Sequence, residues 1–310
     1  MRALLVVNPV ATTTSARVRE VLASALEGEL KLDMVQTDHR GHADELARQA
    51  RTDGLDVVVT LGGDGTVNEI VNGLLADGPH PTVPALAVVP GGGTNVFSRA
   101  LGVPRDPVEA TGALLAALRE KRFRSIGLGQ AGDRWFTFNA GMGWDAEVVA
   151  RVDRARQASG TDRPPTSGDY VRAALQEFFL TGHRRNPALT IYRPGAEPVS
   201  GVHMAIVANT APWTYLGDRA LVTSPEASFD TGLDVYALTR LGTVGTLGEV
   251  RRVLTGTGGG RRRHVLAEHD LAELSLRAVR PVAAQVDGEA LGDLTELTLR
   301  SVPDALRVVV

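Results

Sequence analysis

One glycine-rich loop carries the residues of the amino-terminal half that could do chemistry. Residues Gly62 to Glu69, here named the acidic loop, read GGDGTVNE and lie between an apolar run, Asp56 to Leu61, and a helical pattern. Glycine-rich loops between a strand and a helix bind phosphates through backbone N–H groups. The loop lacks the lysine of a P-loop, and Asn68 takes the place of the third glycine of a dinucleotide fingerprint. Because an aspartate repels a bare phosphate, Asp64 indicates a bridging divalent cation or a proton acceptor for a hydroxyl.

Other carboxylates stand at the ends of predicted strands or helices, and each allows two interpretations. Glu69 either favours its own helix N-terminus, by roughly 0.3–1 kcal/mol, or orients a metal-bound water or the acceptor. Asp287 and Glu289 flank a glycine, which is most often a hairpin turn, yet two such carboxylates could activate a hydroxyl. Asp230 and Asp234 offer oxygen ligands that suit magnesium or calcium, and a plain turn explains them equally well.

Composition excludes several other chemistries. The chain has no cysteine, which removes disulfides, thiolate catalysis and cysteine-type zinc sites. Its histidines form no H-E-x-x-H motif, and the pair His39 and His42 has no third ligand in sequence, so zinc is not expected. No G-x-S-x-G elbow is present for a serine nucleophile. The net charge of -3 gives no support to a nucleic-acid partner.

The elements that must position these residues alternate between strand and helix in the first half of the chain, which is typical of a parallel sheet. Strands are predicted at Ala3 to Val7, Lys31 to Gln36, Asp56 to Leu61 and Ala85 to Val89. Helices are predicted at Thr14 to Leu30, His42 to Arg51, Val96 to Leu101 and Asp106 to Lys121, and a further helix directly follows the acidic loop. Parallel sheets bind ligands at the carboxyl ends of their strands, so the turns there are expected to converge into a nucleotide cleft. Those turns are Asn8-Pro9, Thr37, Gly62 to Asn68 and Gly91 to Asn95. The alternative is that they are ordinary turns.

After about Arg124 the pattern changes to short strand-like segments, which predicts mostly antiparallel β-structure. The segments are Trp135 to Asn139, Ala188 to Tyr192, Val202 to Val207, Leu233 to Thr239, Leu274 to Ala278, Ala283 to Val286, Leu294 to Leu299 and Leu306 to Val310. Helices are predicted at Asp145 to Ala158 and from Ser167 or Asp169 to Phe179, with a mobile connection at Arg154 to Ser167. The 310 residues allow two domains, 1–125 and 126–299, with about 300–310 returning to the first.

The surface features suggest at most a peripheral contact with a membrane. No apolar run approaches the ~18 residues that span a bilayer, and Met1-Arg2 leads directly into a strand pattern, so a cytosolic protein is expected. Arginines gather at Arg251, Arg252 and Arg261 to Arg263, next to Gly258 to Gly260. Such a cluster is usually a solvated surface, but each cation near an anionic bilayer adds about 1 kcal/mol of attraction.

Short motifs follow one another along most of the chain in a fixed order. They are Asn8-Pro9, Thr37-x-x-x-Gly41-His42-Ala43, GGDGTVNE at Gly62 to Glu69, PGGGTNVFSR at Pro90 to Arg99, Asn139-x-Gly141-x-Gly143-x-Asp145-Ala146, Gly232 to Asp234 and Asp287-Gly288-Glu289. This ordered series resembles the diacylglycerol kinase catalytic-domain superfamily, in particular the soluble bacterial lipid kinases. The chain departs from the family pattern at Val96, where an aspartate is frequent, and at Gly93, where the threonine would fall; here it comes one place later, at Thr94.

The resemblance implies an amino-terminal parallel α/β domain, similar to those of phosphofructokinase and NAD kinase, and a carboxy-terminal antiparallel β-sandwich domain, with ATP in the cleft between them. The residues that it implies for ATP are Asn8, Thr37, Gly62, Gly63, Asp64, Gly65, Thr66, Asn68, Glu69 and Thr94. Asp64 would also face Mg2+ in catalysis. Asp287 and Glu289 would lie near the acceptor hydroxyl, one of them as general base. Asp230, with Asp234, would belong to a structural magnesium site.

The function implied by the resemblance is ATP-dependent phosphorylation of a lipid hydroxyl at the bilayer surface, with diacylglycerol as the first candidate and phosphatidic acid as its product. A kinase of a soluble acceptor such as NAD shares the GGDGT loop, although PGGGTNVF is not expected there. A catalytically silent lipid- or nucleotide-binding module is the other alternative. The sequence leaves open which lipid alcohol is used, since one methylene is worth only ~1–3 kcal/mol, and whether the chain forms a homodimer.

Overall fold

The computed structural model describes residues 1–10, 16–159, 167–180, 186–255 and 262–310, and these form two compact units. The amino-terminal unit comprises Met1–Leu128 and Pro303–Val310, and the carboxy-terminal unit comprises Gly129–Val302. Three predicted features lie partly outside the described residues. These are the start of the first helix (Thr14, Ser15), most of the second half of the connection Arg154 to Ser167, and Gly258 to Arg261 of the arginine cluster.

The amino-terminal unit is built on a parallel sheet. Its strands are β1 (Arg2–Val7), β2 (Lys31–Gln36), β3 (Val57–Gly62) and β4 (Ala85–Pro90), in the order β2, β1, β3, β4. Beyond β4, the end of the last strand of the chain pairs in parallel through Val308 and Leu86. Every residue of β3 and β4 is buried, as expected for strands that are covered on both faces.

Helices pack against this sheet. They are α1 (Ala16–Glu27), α2 (His42–Thr52), α3 (Asp64–Leu74), α4 (Val96–Ala100) and α5 (Pro107–Arg119). Alternate residues of β1, β3 and β4 share one apolar core with α1 and α5. Helices α2 and α3 approach closely because Gly73 has no side chain, since a Cβ there would lie 2.3 Å from the carbonyl oxygen of Asp44. Asp106 begins α5 by accepting hydrogen bonds from the amides of Val108 (2.9 Å) and Glu109 (3.0 Å).

The carboxy-terminal unit is built on antiparallel strands. They are β5 (Phe123–Ala131), which starts in the amino-terminal unit, β6 (Arg134–Phe136), β7 (Asn139–Gly143), β8 (Leu189–Arg193), β9 (Ala196–Val202), β10 (Met204–Ala208), β11 (Thr214–Leu216), β12 (Arg219–Leu221), β13 (Leu233–Leu238), β14 (Val265–Leu271), β15 (Glu273–Val286) and β16 (Glu289–Val309). Neighbouring strands follow the order β14, β13, β10, β7, β15, β16. The helices are α6 (Trp144–Ser159), α7 (Ser167–Leu180) and α8 (Thr243–Leu254). Among the described helices, none combines the length and the apolar character needed to cross a bilayer.

The predicted fold class is confirmed, with parallel α/β structure first and antiparallel β-structure second. The boundaries of several elements differ from the prediction. The four last predicted strands are two long ones, β15 and β16, because their pairing shifts register between Arg277 and Val282 instead of ending. Helix α6 continues to Ser159, through the first part of the predicted connection. Helix α8 was not expected because Gly245 and Gly248 lower the helix propensity of its sequence.

Candidate active site

Two loops of the amino-terminal unit touch at the carboxyl ends of β3 and β4. They are the acidic loop and Pro90 to Asn95, here named the glycine loop. The amide of Gly91 donates to the carbonyl oxygen of Gly62 at 2.8 Å. One residue further on, a Cβ added to Gly92 would lie 2.7 Å from the Cα of Gly63. The two backbones can therefore approach this closely only because residue 92 is a glycine.

The N-terminus of α3 faces this junction without a side-chain cap. Its N-cap is Gly63, which is extended and has no side chain to accept hydrogen bonds from the first amides. Those amides have no partner within the helix and carry the positive end of the helix dipole. In the same turn Asn8 donates from Nδ2 to Oγ1 of Thr66 at 3.0 Å, which ties the turn after β1 to the acidic loop. The arrangement has the features of an anion-binding site.

Asp64 joins the two loops through its carboxylate. Its two oxygens accept hydrogen bonds from the amides of Val96 (3.0 Å) and Phe97 (3.1 Å), which begin helix α4. The sequence offered no structural reason for an acid at this position, and the structure supplies one, since the carboxylate satisfies amides that have no partner within α4. The role of Asp64 toward Mg2+ and phosphate stays a prediction.

The glycine loop is held by Asn95, which the sequence did not single out as a site residue. Asn95 has a left-handed backbone, with φ 48°, and its side chain bonds both backbone groups of Gly92, at 2.9 Å from N and 2.6 Å from O. Asparagine tolerates this conformation better than most residues. This preference is the sequence signal from which Asn95 could have been identified. Val96 is buried, so an apolar side chain fits where the family often has aspartate. At Gly93 an added Cβ would meet nothing within 4 Å.

Glu69 contacts a neighbouring helix instead of its own. Its carboxylate accepts hydrogen bonds from the amides of Gly41 (3.0 Å) and Ala43 (3.2 Å) at the N-terminus of α2. Neither interpretation drawn from the sequence included this contact. Asn68 is buried within α3, and Oδ1 accepts from Nδ2 of Asn72 at 3.2 Å. The remaining predicted nucleotide residues are partly buried. Thr37 and Thr94 lie in the turns after β2 and β4, and Gly65 lies in the first turn of α3.

The two histidines do have a carboxylate beside them, which corrects the sequence-based statement that they lack a third ligand. Asp38 Oδ1 lies 2.8 Å from Nδ1 of His42 and also bonds Nδ1 of His39. The two rings are stacked, with centroids 4.9 Å apart. In the described part of the chain this is the one group of three side chains close enough to share a metal ion. The bond to Asp38 raises the pKa of His39, which favours a protonated ring.

In the carboxy-terminal unit Asp287 is enclosed by hydrogen-bond donors. Its carboxylate accepts from the amides of Thr137 (2.7 Å), Phe138 (3.0 Å) and Asn139 (3.1 Å), and from the Thr137 hydroxyl (2.8 Å). Burial raises the pKa of Asp287, and the backbone donors act in the opposite sense. Asp287 and Gly288 both have positive φ, 48° and 77°, as in a type I′ hairpin. The predicted hairpin between β15 and β16 is thus present, and Asp287 ties it to the start of β7.

Glu289, the second acid of the pair, is more accessible. Its side chain is 20% exposed, and Oε2 lies 2.6 Å from Nη2 of Arg134 in β6. No local sequence pattern singles out Arg134, because 155 residues separate it from Glu289. Of the two carboxylates, Glu289 is therefore the one that solvent reaches.

A buried polar network supports the same hairpin. Gln285 donates from Nε2 to Asn139 Oδ1 (2.7 Å) and to Asp145 Oδ2 (3.1 Å), and its Oε1 accepts from the amide of Gly288 at 2.9 Å. Burial raises the pKa of Asp145 to about 6. Asn139 and Asp145 belong to one of the motifs noted in the sequence, whereas Gln285 carried no signal there.

Of the two predicted metal ligands, Asp230 lies in the turn before β13 and Asp234 lies within β13. Asp234 is buried, and its Oδ1 accepts from the amide of Asp270 at 3.2 Å and lies 2.7 Å from Nδ1 of His269. Asp270 in turn accepts from the amide of Gly232 at 2.7 Å. Asp230 is exposed at the turn itself. Asp234 thus connects β13 to β14, and a magnesium site at Asp230 and Asp234 stays a prediction.

Comparison with protein families and curated proteins identifies relatives of part of the chain. Residues 2–131 match the family "Diacylglycerol kinase catalytic domain". A Chromohalobacter salexigens protein named "Probable lipid kinase YegS-like" is 37% identical over 132 residues, which are 43% of this chain and 41% of that protein. A Bacillus subtilis "Diacylglycerol kinase" is 33% identical over 158 residues, 49% of this chain and 48% of that protein. The matched segments thus span less than half of these relatives.

Comparison with solved structures extends the similarity of fold to nearly the whole chain. A diacylglycerol kinase of Bacillus anthracis superposes with a TM-score of 0.73 at 18% identity, covering 99% of this chain and 96% of that one. An NAD kinase of Archaeoglobus fulgidus in complex with ATP gives a TM-score of 0.54 at 13% identity, covering 100% and 94%. At such identities the likeness establishes the fold alone.

Proposed function

We propose that this chain, whose residues 2–131 match the family "Diacylglycerol kinase catalytic domain", is an ATP-dependent kinase of a lipid hydroxyl, with diacylglycerol as the first candidate acceptor. The observation that carries the proposal is the junction of the acidic and glycine loops at the uncapped N-terminus of α3. Backbone amides at a helix N-terminus bind phosphate groups, and phosphoryl transfer depends mainly on positioning and charge neutralisation.

The glycines of the junction allow the phosphates of ATP to approach the backbone. Gly63 and Gly92 have no side chains to obstruct that approach, and the contact between them fixes the two loops relative to each other. Asn8 holds Thr66 and so fixes the first turn of α3. In this arrangement the loop amides would orient the phosphates for in-line transfer.

Mg2+ is the cation that fits Asp64. The acidic loop contains no lysine or arginine, so the charge of the phosphates needs another cation nearby. Asp64 supplies a carboxylate within this loop, and carboxylate oxygens suit magnesium. When bound there, Mg2+ would neutralise charge on the transferring phosphoryl group.

Of the two acids in the turn Asp287-Gly288-Glu289, Glu289 is the better general base. Asp287 already accepts four hydrogen bonds, so its carboxylate holds the hairpin to β7. Glu289 is partly exposed and has Arg134 as a partner. A general base must reach the proton that it removes, and the exposed carboxylate meets that requirement. Asp287 would then position Glu289 rather than contact the substrate.

The acceptor is tested by transfer of labelled γ-phosphate from ATP, with magnesium, into a total lipid extract. Asp64→Asn serves as the inactive control. Asp293→Asn serves as the matched active control, because Asp293 is an exposed residue of β16. Labelled phosphatidic acid that disappears in Asp64→Asn supports the proposal. Labelled NADP formed from NAD without any labelled lipid would favour the soluble acceptor, and magnesium-independent ATP binding without turnover would favour a silent binding module.

A further inference from the structure

Helix α8 and the start of β14 border an open pocket in the carboxy-terminal unit that the proposed function does not use. Its volume is about 620 Å³, within the range of small-molecule sites. Leu238 and Val265, both buried, form part of its wall at the end of β13 and the start of β14. The apolar wall and the size of the pocket favour a ligand that carries carbon as well as charge.

Cationic side chains dominate the rest of the lining. Arg240, Arg252, Arg262 and Arg263 line the pocket together with a single acid, Glu249, so the lining has an excess of positive charge. Glu249 accepts hydrogen bonds from Arg252 (2.7 Å) and Arg262 (3.0 Å). Arg240 and Arg263 have no hydrogen bond or ion pair to any other described residue. These two cations are therefore available to an anion from outside the chain.

A buried hydroxyl lies in the same wall. Thr246 is only 6% exposed, and its Oγ1 has no hydrogen-bond partner among the described residues. That oxygen exposes less than 1 Å² to solvent, so the hydroxyl lies within the wall and not at the pocket surface. Thr246 lies in the first turns of α8, whose N-cap, Gly242, makes no side-chain hydrogen bond to the helix amides.

Packing does not explain the glycine next to Thr246. Gly245 lines the pocket, and a Cβ added there would meet nothing within 4 Å. Glycine within a helix is unfavourable relative to alanine. Its absence of a side chain keeps the backbone of α8 open to the pocket, in agreement with a ligand that approaches the helix closely.

We propose that this pocket binds the phosphate head group of an anionic phospholipid. Arg240 and Arg263 would pair with the phosphate, and Leu238 and Val265 would contact the carbon of the glycerol and acyl groups. The pocket would hold the carboxy-terminal unit on an anionic bilayer. The inference stands apart from the proposed function, because it concerns binding without ATP or transfer.

Vesicle sedimentation tests the proposal directly. The protein is sedimented without ATP with vesicles of phosphatidylcholine alone and with vesicles that also contain phosphatidylglycerol. Binding is expected only to the second kind. The double variant Arg240→Gln/Arg263→Gln should bind about thirty-fold more weakly, because each lost cation removes about 1 kcal/mol. Arg219→Gln/Arg251→Gln is the matched control, because it removes the same charge from exposed arginines outside the pocket. Equal losses in both pairs would mean diffuse surface attraction and would overturn the site.

A second pair of variants tests the pocket without changing charge. Gly245→Leu places a side chain in the pocket and should weaken vesicle binding, whereas Gly248→Leu, on the same helix and also with nothing within 4 Å of its Cβ, should not. Both folds are checked by circular dichroism. Unchanged binding in Gly245→Leu, or no vesicle binding by the wild type, would overturn the proposal. Calorimetry with inorganic phosphate distinguishes the source: tight binding that Gly245→Leu abolishes would indicate a soluble anion instead of a lipid.

Discussion

The carboxylate of Asp64 and the backbone amide of Val96 form a hydrogen bond of 3.0 Å between residues 32 positions apart. With the second bond, to Phe97, it makes the acidic loop and the glycine loop a single structure. An acid in a loop that would bind phosphate is thus partly structural, and its electrostatic cost toward phosphate is offset by the two amides that it holds.

Removing the carboxylate of Asp64 is expected to lower both stability and activity. Asp64→Ala leaves two amides without an acceptor, at roughly 1–3 kcal/mol each, so urea unfolding should show a clear loss of stability. Asp64→Asn keeps one acceptor oxygen without charge, so it should lose less stability, while phosphoryl transfer is abolished. Full turnover by a folded Asp64→Asn variant would contradict the role of the charge.

The contact between Gly92 and Gly63 should be sensitive to a single methyl group. Gly92→Ala places a Cβ 2.7 Å from the Cα of Gly63, so the loops must separate, and misplacement on this scale can cost about a hundred-fold in kcat/KM. Gly93→Ala is the matched control, since its Cβ meets nothing within 4 Å. The measurement is kcat/KM of the two variants by steady-state kinetics. Equal activity would show that the site tolerates separation of the two loops.

Glu69 is expected to contribute to stability through helix α2. Glu69→Ala removes the acceptor for the amides of Gly41 and Ala43, and loss of such a cap costs about 1–2 kcal/mol. Glu69→Gln retains an acceptor oxygen and should restore most of that loss. If Glu69→Gln is as stable as the wild type but inactive, then Glu69 acts in the chemistry as well.

The sequence predicted the fold and the convergence of the loops because both depend on local patterns. Apolar runs followed by glycine and asparagine locate the carboxyl ends of β1, β3 and β4, and parallel strands bring those ends to one edge. What it could not predict are the partners of individual side chains. Asp287 bonds to Thr137, 150 residues away, and no local pattern contains that pairing.

The sequence also assigned the long strands less well than the short ones. Pro281 lies in β15, where the register with β16 shifts between Arg277 and Val282. Proline within a run normally indicates a strand end or a bulge, and the local pattern does not distinguish the two. Tertiary pairing carries the strand past the bulge. The same limitation applies to α8, where packing overrides the weak helix propensity of its glycines.

Exchange of Glu289 should affect turnover more than binding. Glu289→Gln removes the proposed base while keeping the size of the side chain, so kcat should fall by about 100-fold or more, with KM for ATP little changed. Asp293→Asn, exposed in the same strand, should leave both constants unchanged. Asp287→Ala is expected to unfold the hairpin instead, because four donors lose their acceptor. A Glu289→Gln variant with wild-type kcat would remove Glu289 as the base.

Buried Asp145 should make stability depend on pH. Burial raises its pKa from 3.8 to about 6, so the folded state binds the proton more tightly than the unfolded chain does. The bound proton therefore stabilises the folded state. This stabilisation is fully present below the pKa that Asp145 has in the unfolded chain, and it is lost as pH rises through about 6. A shift of this size corresponds to roughly 3 kcal/mol.

Asp145→Asn removes the titrating group and keeps an oxygen acceptor for Nε2 of Gln285. The variant should therefore gain stability over the wild type as pH rises from about 4 to about 7 and hold that gain above it. Urea unfolding of both proteins across this range measures the difference. Asp153→Asn, on the same helix but partly exposed beside Arg156, is the control and should show a much smaller change. A difference between Asp145→Asn and wild type that does not vary with pH would mean that Asp145 titrates outside this range.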